Sequence, residues 1–157
     1  MAFPSLSIGD LTAKMPIVQG GMGVGISLSG LASAVANQGG IGVIAGAMIG
    51  MKEPDVAKNP IEANLRALRQ ELTKAREKTQ GIIGVNIMVA LTTFSQMVRT
   101  AIENRADIIF SGAGLPLEMP KHLLQACEEK KEEFKTKLVP IVSSARAATL
   151  IARKWLS

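Results

Sequence analysis

Glycine and small polar residues follow four of the apolar segments in this chain, and their types and spacing suggest a specific chemistry. The first group is Gln19-Gly20-Gly21-Met22-Gly23, and the others are Asn86, Ser111-Gly112-Ala113 and Ser143-Ser144. Glycine lets the main chain approach a flat ligand and leaves backbone N–H groups exposed as hydrogen-bond donors. Short turns after strands also need small residues, which accounts for part of the pattern. The remainder predicts a pocket lined by backbone.

Histidine and cysteine, the usual acid–base, nucleophilic and metal-binding residues, occur once each. His122 follows Pro120-Lys121 at the start of a predicted helix, and we expect it to be an exposed, structural residue. Cys127 lies on an amphipathic helix beside several charged residues, which favours packing over a nucleophilic role. A single cysteine forms no intramolecular disulfide, so a reducing, cytoplasmic setting is expected. The sequence therefore predicts no metal site.

The glycine segments do not match the common nucleotide-binding motifs. No G-x-x-x-x-G-K-[ST] sequence is present, which argues against a P-loop. Gly40-Ile41-Gly42-Val43-Ile44-Ala45 fits G-x-G-x-x-A in letters, but it lies within a predicted strand instead of opening a helix. A dinucleotide site of the Rossmann type is therefore not favoured.

Composition argues against nucleic acid and membrane partners. The 157 residues carry a net charge of +5, but basic and acidic residues alternate, and only 3% of residues are aromatic. Such a chain offers neither a basic patch nor stacking platforms for bases. Glycines and Asn37-Gln38 interrupt the uncharged segment between Lys14 and Lys52, so no apolar span of about 20 residues exists. We expect a small-molecule substrate, with a homo-oligomer left open.

Apolar strand-like segments alternate with helical segments along the chain. The predicted strands are 16–19, 41–45, 82–89, 108–110 and 138–142. The predicted helices cover 29–37, a segment opening at Asn59-Pro60, 94–104, 121–131 and 145–156. Helical crossovers between successive strands predict a parallel sheet of five strand–helix units. A small hairpin with a Gly9-Asp10 turn is expected at about residues 5–14.

Local spacing also predicts how two of these helices begin. Ser29 and Asn59 are suited to cap the first turns of their helices. Glu62 and Arg66 stand four residues apart and are predicted to pair on one helical face.

Five units fit two α/β architectures. A doubly wound five-stranded sheet would be complete at this length, whereas a (β/α)₈ barrel of about 250 residues would lack about three units. Ligands gather at the carboxyl ends of the strands in both, so the glycine-rich groups are candidate site residues in either case. Composition does not choose between the two.

Several blocks resemble one known enzyme family. The block Pro16-Ile17-Val18-Gln19-Gly20-Gly21-Met22-Gly23, followed by Ser27, Leu31-Ala32, Ala36-Asn37 and Gly39-Gly40-Ile41-Gly42, closely resembles the opening of the nitronate monooxygenase (2-nitropropane dioxygenase) family. That family includes the FMN-dependent enoyl-acyl-carrier-protein reductases. Its third, fourth and fifth strand motifs are similar to Gly84-Val85-Asn86-Ile87, Ser111-Gly112-Ala113-Gly114-Leu115-Pro116 and Val139-Pro140-Ile141-Val142-Ser143-Ser144. The similarity is collinear over nearly the whole chain.

The resemblance implies a fold and a cofactor. Residues 1–157 would form the N-terminal part of a single FMN-binding TIM-barrel domain, with about five of the eight units. Residues Gln19, Gly20, Gly21, Met22 and Gly23 would lie against the flavin ring. Asn86 would hydrogen-bond the flavin or its ribityl chain. The segment Ser111, Gly112 and Ala113 would line the substrate side.

The resemblance also implies an activity, which is oxidation of nitronates or nitroalkanes with dioxygen. The alternative within the family is NAD(P)H-dependent reduction of an enoyl thioester. Some members carry a cofactor-contacting lysine on the fifth strand, where this chain has Ile141 or Val142. The family's catalytic histidine is expected beyond residue 157, so we expect this chain alone to be inactive. The non-enzymatic alternatives are a five-stranded doubly wound binding domain or an inactive fragment.

Overall fold

The computed structural model describes residues 3–157 and contains one parallel sheet covered on one face by helices. An antiparallel hairpin precedes it, formed by β1 (Leu6–Ile8) and β2 (Leu11–Ala13). The sheet strands are β3 (Gly42–Ala45), β4 (Ile83–Met88), β5 (Ile108–Gly112) and β6 (Lys137–Pro140). The helices are α1 (Ser29–Asn37), α2 (Pro60–Lys78), α3 (Phe94–Glu103), α4 (Met119–Lys130) and α5 (Ala145–Leu156), with a 3-10 helix at Ile49–Lys52.

The order of the strands decides between the two predicted architectures. The sheet runs β3-β4-β5-β6, so every strand lies parallel beside the next one in sequence. Val18 forms a parallel bridge to Ile41, which extends the same sequential order. A doubly wound sheet reverses its order at a switch point, whereas a barrel adds its strands in sequence. The fold is therefore an incomplete TIM barrel, as predicted, and the doubly wound alternative is wrong.

The first predicted strand, 16–19, is reduced to that single bridge. Gln19 N–H donates to the Ile41 carbonyl at 3.0 Å, and the backbone then leaves the sheet. The Gln19 side-chain amide continues the ladder instead: its Nε2 donates to Val43 O at 3.0 Å, and Val43 N–H donates to Oε1 at 3.2 Å. Because a side chain takes over the pairing, the following glycines are free to cross the end of the sheet.

Alternation along the strands separates two cores. Outward side chains such as Ile44, Val85 and Ile109 pack against the helices. Inward side chains, including Phe110, pack against the hairpin. The other members of this inner cluster are Ala13, Ile41, Val43 and Ile108, with Leu6, Ile8, Leu11, Ile82 and Val139 partly buried around them. The hairpin thus closes the amino-terminal end of the inner face and leaves the carboxyl end available for a ligand.

A carboxylate from α2 caps α1, in place of the predicted local cap. The Ser29 N–H donates to Glu71 Oε2 at 2.9 Å, and Lys74 Nζ donates to Glu71 Oε1 at 2.8 Å. Burial acts to raise the pKa of Glu71, which is only 9% exposed, but the bonds from Lys74 and Ser29 outweigh it and the pKa is lowered. The charged carboxylate therefore stabilises the packing of α1 on α2.

Replacing Glu71 by alanine is expected to lower the free energy of unfolding by about 1–3 kcal/mol, because the buried Ser29 N–H loses its acceptor. A lowered pKa means that the contribution is fully present above the ordinary carboxyl value of 4.5 and is lost as the pH falls below it. Thermal melts from neutral to acid pH measure both effects. Glu77→Ala, an exposed change on the same helix, is the control. A difference in melting temperature between wild type and Glu71→Ala that stays the same at every pH would contradict the assignment.

Candidate functional site

The carboxyl edge of the sheet brings the first glycine block and the third-strand asparagine together. A Cβ atom at Gly21 would lie 2.6 Å from Asn86 Cβ and 3.1 Å from Asn86 Cγ, so only glycine fits there. Asn86 is half-buried on β4, in register with Ala45 and Phe110. Its side-chain amide makes no hydrogen bond to any of residues 3–157. The crossing glycine therefore lies beside an amide whose donors and acceptor are available to a ligand.

The loop after Gln19 contains both paired and unpaired backbone N–H donors. Met22 N–H and Val24 N–H are used within the protein, by Ser27 Oγ at 3.0 Å and Ala47 O at 2.9 Å. The N–H groups of Gly20, Gly21 and Gly23 make no hydrogen bond within the described part of the chain. An array of glycine N–H groups at the end of a parallel sheet can bind the acceptor atoms of a ligand.

The loop after β3 supports the glycine block from a second side. A Cβ at Gly23 would lie 2.9 Å from the Ala47 carbonyl oxygen, so glycine is required for this contact as well. Met48, the next residue, has a φ of 52° and an exposed side chain. Sequence reasoning did not identify the Ala47-Met48 segment, although Gly46 directly after a strand was a usable signal.

The fourth-strand segment divides into structural and exposed parts. Ser111 is fully buried, and its Oγ donates to Ile87 O at 2.9 Å, so its hydroxyl joins β5 to β4. Gly112 is also buried. A Cβ there would lie 2.9 Å from Ile141 Cβ, so a larger residue does not fit. Ala113 is exposed, with a φ of 55°. Of the three predicted residues, Ala113 is the one whose side chain reaches the surface of the edge.

The loop after β6 adds a helix cap and two apolar side chains. Ser144 Oγ accepts a hydrogen bond from Ala147 N–H at 3.2 Å and caps α5. Ile141 and Val142 are 50% and 41% exposed. This part of the edge is therefore apolar.

The first residues after each strand at the carboxyl edge carry no charged side chain, but Lys52 of the 3-10 helix reaches this edge, with its Nζ 3.9 Å from where a Cβ at Gly25 would lie. Residues 19–28, 46–51, 89–93, 113–117 and 141–144 contain no Asp, Glu, Lys, Arg or His, whereas the rest of the loops after β3 and β5 contains Lys52, Glu53, Asp55, Lys58 and Glu118. Exposed apolar side chains occupy it instead: Met22, Met48, Met88, Leu115, Ile141 and Val142. A largely apolar rim around backbone donors suits a flat, largely apolar ring with a hydrogen-bonding edge.

The single histidine and the single cysteine both lie on α4. His122 is half-buried, so the expectation that it is exposed is wrong; its ring packs edge-on against Phe94, with centroids 6.3 Å apart. Burial lowers the pKa of His122. Cys127 packs partly buried against the outer core.

Within residues 3–157, no group of three or more His, Cys, Asp or Glu is placed to hold a metal ion. None of the described helices combines the length and apolarity needed to cross a bilayer.

A cleft of about 320 Å³ lies at the opposite, amino-terminal edge, between the hairpin and the loop before β6. Four of its charged groups, Asp10, Arg105, Asp107 and Glu132, already have partners. Asp10 pairs with Lys137 at 2.6 Å, and Arg105 pairs with Glu132 at 2.5 Å. The first of these pairs lowers the pKa of Asp10. This cleft therefore carries no sign of a ligand.

A sequential parallel sheet with a glycine-rich carboxyl edge defines a TIM-barrel scaffold of the kind that enzymes use. The sequence profile of the nitronate monooxygenase family matches residues 5–156, and the chain belongs to that family. The family consists of flavin-dependent oxidoreductases. Among curated proteins, none matches the chain at a significant level.

Solved structures give the same fold. FabK from Thermotoga maritima is 28% identical, with a TM-score of 0.66 over 88% of this chain and 37% of that chain. A nitroalkane oxidase from Streptomyces ansochromogenes has a TM-score of 0.61 over 87% of this chain and 42% of that chain. Its 15% identity supports the fold alone. This chain thus spans less than half the length of the solved structures that it resembles.

Proposed function

We propose that this chain forms the flavin-facing part of an FMN-dependent oxidoreductase that oxidises nitronates or nitroalkanes with dioxygen. The observation that carries the proposal is the contact of Gly21 with Asn86, which places glycine backbone donors beside a free amide. Membership of the family supports flavin chemistry. The activity and the substrate are proposed for the whole protein, of which these residues are a part.

The residues present fit FMN. Gly20, Gly21 and Gly23 offer a surface without side chains and three free N–H donors, which suits a flat ring whose pyrimidine edge carries acceptors. The Asn86 amide both donates and accepts, so it can pair with either a carbonyl or an N–H of that edge. When bound, FMN supplies the electron transfer that no side chain of this chain provides.

The apolar side chains at the carboxyl edge also keep water from the reacting atoms. Met22 is 64% exposed and Met48 is 55% exposed beside the glycine loops, so both can be covered when a ligand binds. Removing water strengthens the hydrogen bonds that the backbone N–H groups donate. The roles that we assign to these residues are therefore binding, orientation and desolvation of the ligand.

A second candidate is NAD(P)H-dependent reduction of an enoyl thioester. The observation that favours it is the apolar, half-exposed pair Ile141 and Val142, which replaces the lysine found in some members. Apolar side chains at the substrate side suit a hydrocarbon chain better than a small anion. The two candidates share the flavin site and differ only in substrate and electron partner.

Titrating the protein with FMN tests the shared part of the proposal. We expect a yellow complex with a flavin absorption spectrum and quenched flavin fluorescence. For the complete protein, nitronate turnover that stops when dioxygen is removed is expected for the first candidate. Rapid bleaching of the flavin by NADH in the absence of dioxygen supports the second instead. Protein that retains no flavin after unbound FMN is removed, and that does not quench flavin fluorescence, contradicts both.

A further inference from the structure

Ser27 is buried at the centre of the glycine loop. It is 1% exposed, and its Oγ accepts a hydrogen bond from Met22 N–H at 3.0 Å and donates to Gly20 O at 3.3 Å. Its own N–H donates to Met22 O at 2.9 Å, and its carbonyl accepts from Ala45 N–H at 2.9 Å. One residue thus ties both ends of the Gly20–Met22 turn to the carboxyl end of β3.

These bonds determine which backbone donors remain free. Because Met22 N–H is taken by Ser27, the loop cannot turn that donor outward, and the neighbouring N–H of Gly21 stays unpaired. Glycine has more backbone freedom than any other residue, so a Gly-Gly pair without an anchor would populate many conformations. In the turn that Ser27 bonds at both ends, Gly21 contacts Asn86.

We propose that Ser27 is a positioning residue of the cofactor site, which fixes the loop at residues 20–23 in the conformation that presents its glycine N–H groups. This inference rests on the proposed function, because it takes FMN to be the ligand that the loop binds. Ser27 does not touch that ligand: its hydroxyl is fully used inside the protein, and it acts through Gly20 and Met22.

Ser27→Ala tests the inference, with Ser33→Ala as the matched control. Ser33 is another buried serine, on α1, whose single hydroxyl bond goes to Ala75 O at 3.4 Å and not to the loop. We expect Ser27→Ala to weaken FMN binding to the protein about tenfold or more, because an unanchored loop must be ordered on binding. Ser33→Ala is expected to keep the wild-type affinity.

Amide hydrogen exchange of the protein without FMN provides a readout that is independent of the cofactor. Ser27→Ala is expected to accelerate exchange at Met22, which has lost its acceptor, whereas Ser33→Ala leaves this amide protected. If the alanine variant does not fold, Ser27→Cys replaces it. Cysteine keeps the size of the side chain but is a weak donor and acceptor, so we expect it to move both readouts in the same direction.

The outcomes separate the two claims. Wild-type protein that binds no FMN overturns the proposed function, while the exchange experiment still decides the role of Ser27. Unchanged exchange at Met22 in the Ser27 variants overturns the inference. Equal losses of FMN affinity in Ser27→Ala and Ser33→Ala, at equal losses of melting temperature, also overturn it, because they indicate a general structural role.

Discussion

Gly42→Ala is expected to prevent the chain from folding or to leave it barely stable. A Cβ at this position would lie 1.9 Å from the Ala32 carbonyl oxygen and 2.6 Å from the Ala32 carbonyl carbon. These are backbone atoms of α1, so the clash cannot be relieved by a change of rotamer. Overpacking ordinarily costs about 1–3 kcal/mol, and a contact this close to the backbone belongs at or beyond the top of that range.

Thermal melting followed by circular dichroism measures this effect. Gly30→Ala is the control, because it makes the same change on the helix that Gly42 contacts and a Cβ there meets nothing within 4 Å. Alanine at this helical position is expected to stabilise the protein by about 0.5–1 kcal/mol. If both variants melted at the wild-type temperature, α1 would not pack on β3 at the distance described.

Periodicity identified the elements of the fold because it reports which faces are buried. The helices at Ser29–Asn37 and Ala145–Leu156 have the bounds that the sequence predicts. Strand ends differ by one or two residues, as at β6, which begins at Lys137 instead of 138 and ends at Pro140. What periodicity could not give is the closeness of packing: Gly42 was placed in a strand, but its contact with Ala32 depends on where α1 lies.

Local spacing failed where a distant residue offered a better partner. The predicted pair of Glu62 with Arg66 is wrong: Arg66 Nε bonds Glu53 at 2.7 Å, and Arg66 also pairs with Asp55. Together these bonds raise the pKa of Arg66. The 3-10 helix folds against α2, with Gly50 N–H donating to Asn64 Oδ1 at 2.9 Å, and this contact brings both acids to Arg66.

The site was predictable in location and not in detail. Parallel alternation placed Gly21 and Asn86 at one edge, since all carboxyl ends of a parallel sheet meet there. Their contact, and the anchoring by Ser27, depend on how the chain turns after Gln19 leaves the sheet. Ser111 was correctly placed at the end of a strand, but it was expected to line the substrate side. Strand alternation turns its hydroxyl to the outer face, where it bonds Ile87 O.

Gly21→Ala is expected to weaken FMN binding about tenfold to a hundredfold while the fold survives. The new methyl group would meet Asn86 Cβ at 2.6 Å. Asn86 cannot retreat easily, because its carbonyl accepts from Gly46 N–H at 2.8 Å and its strand is paired on both sides. The loop must move instead, which is possible because it lies at the surface. A strain of about 1–3 kcal/mol corresponds to that loss of affinity.

Fluorescence titration with FMN measures the effect, and Gly30→Ala serves again as the control with unchanged affinity. Asn86→Ala separates displacement of the loop from loss of the amide, because it removes the hydrogen-bonding group but keeps the Cβ that Gly21 contacts. If Gly21 and Asn86 act as one unit, a loop already displaced gains nothing from the amide, and the double variant binds FMN no more weakly than Gly21→Ala alone. Losses that simply add would contradict this coupling, and the glycine loop and the asparagine would then be independent parts of the site.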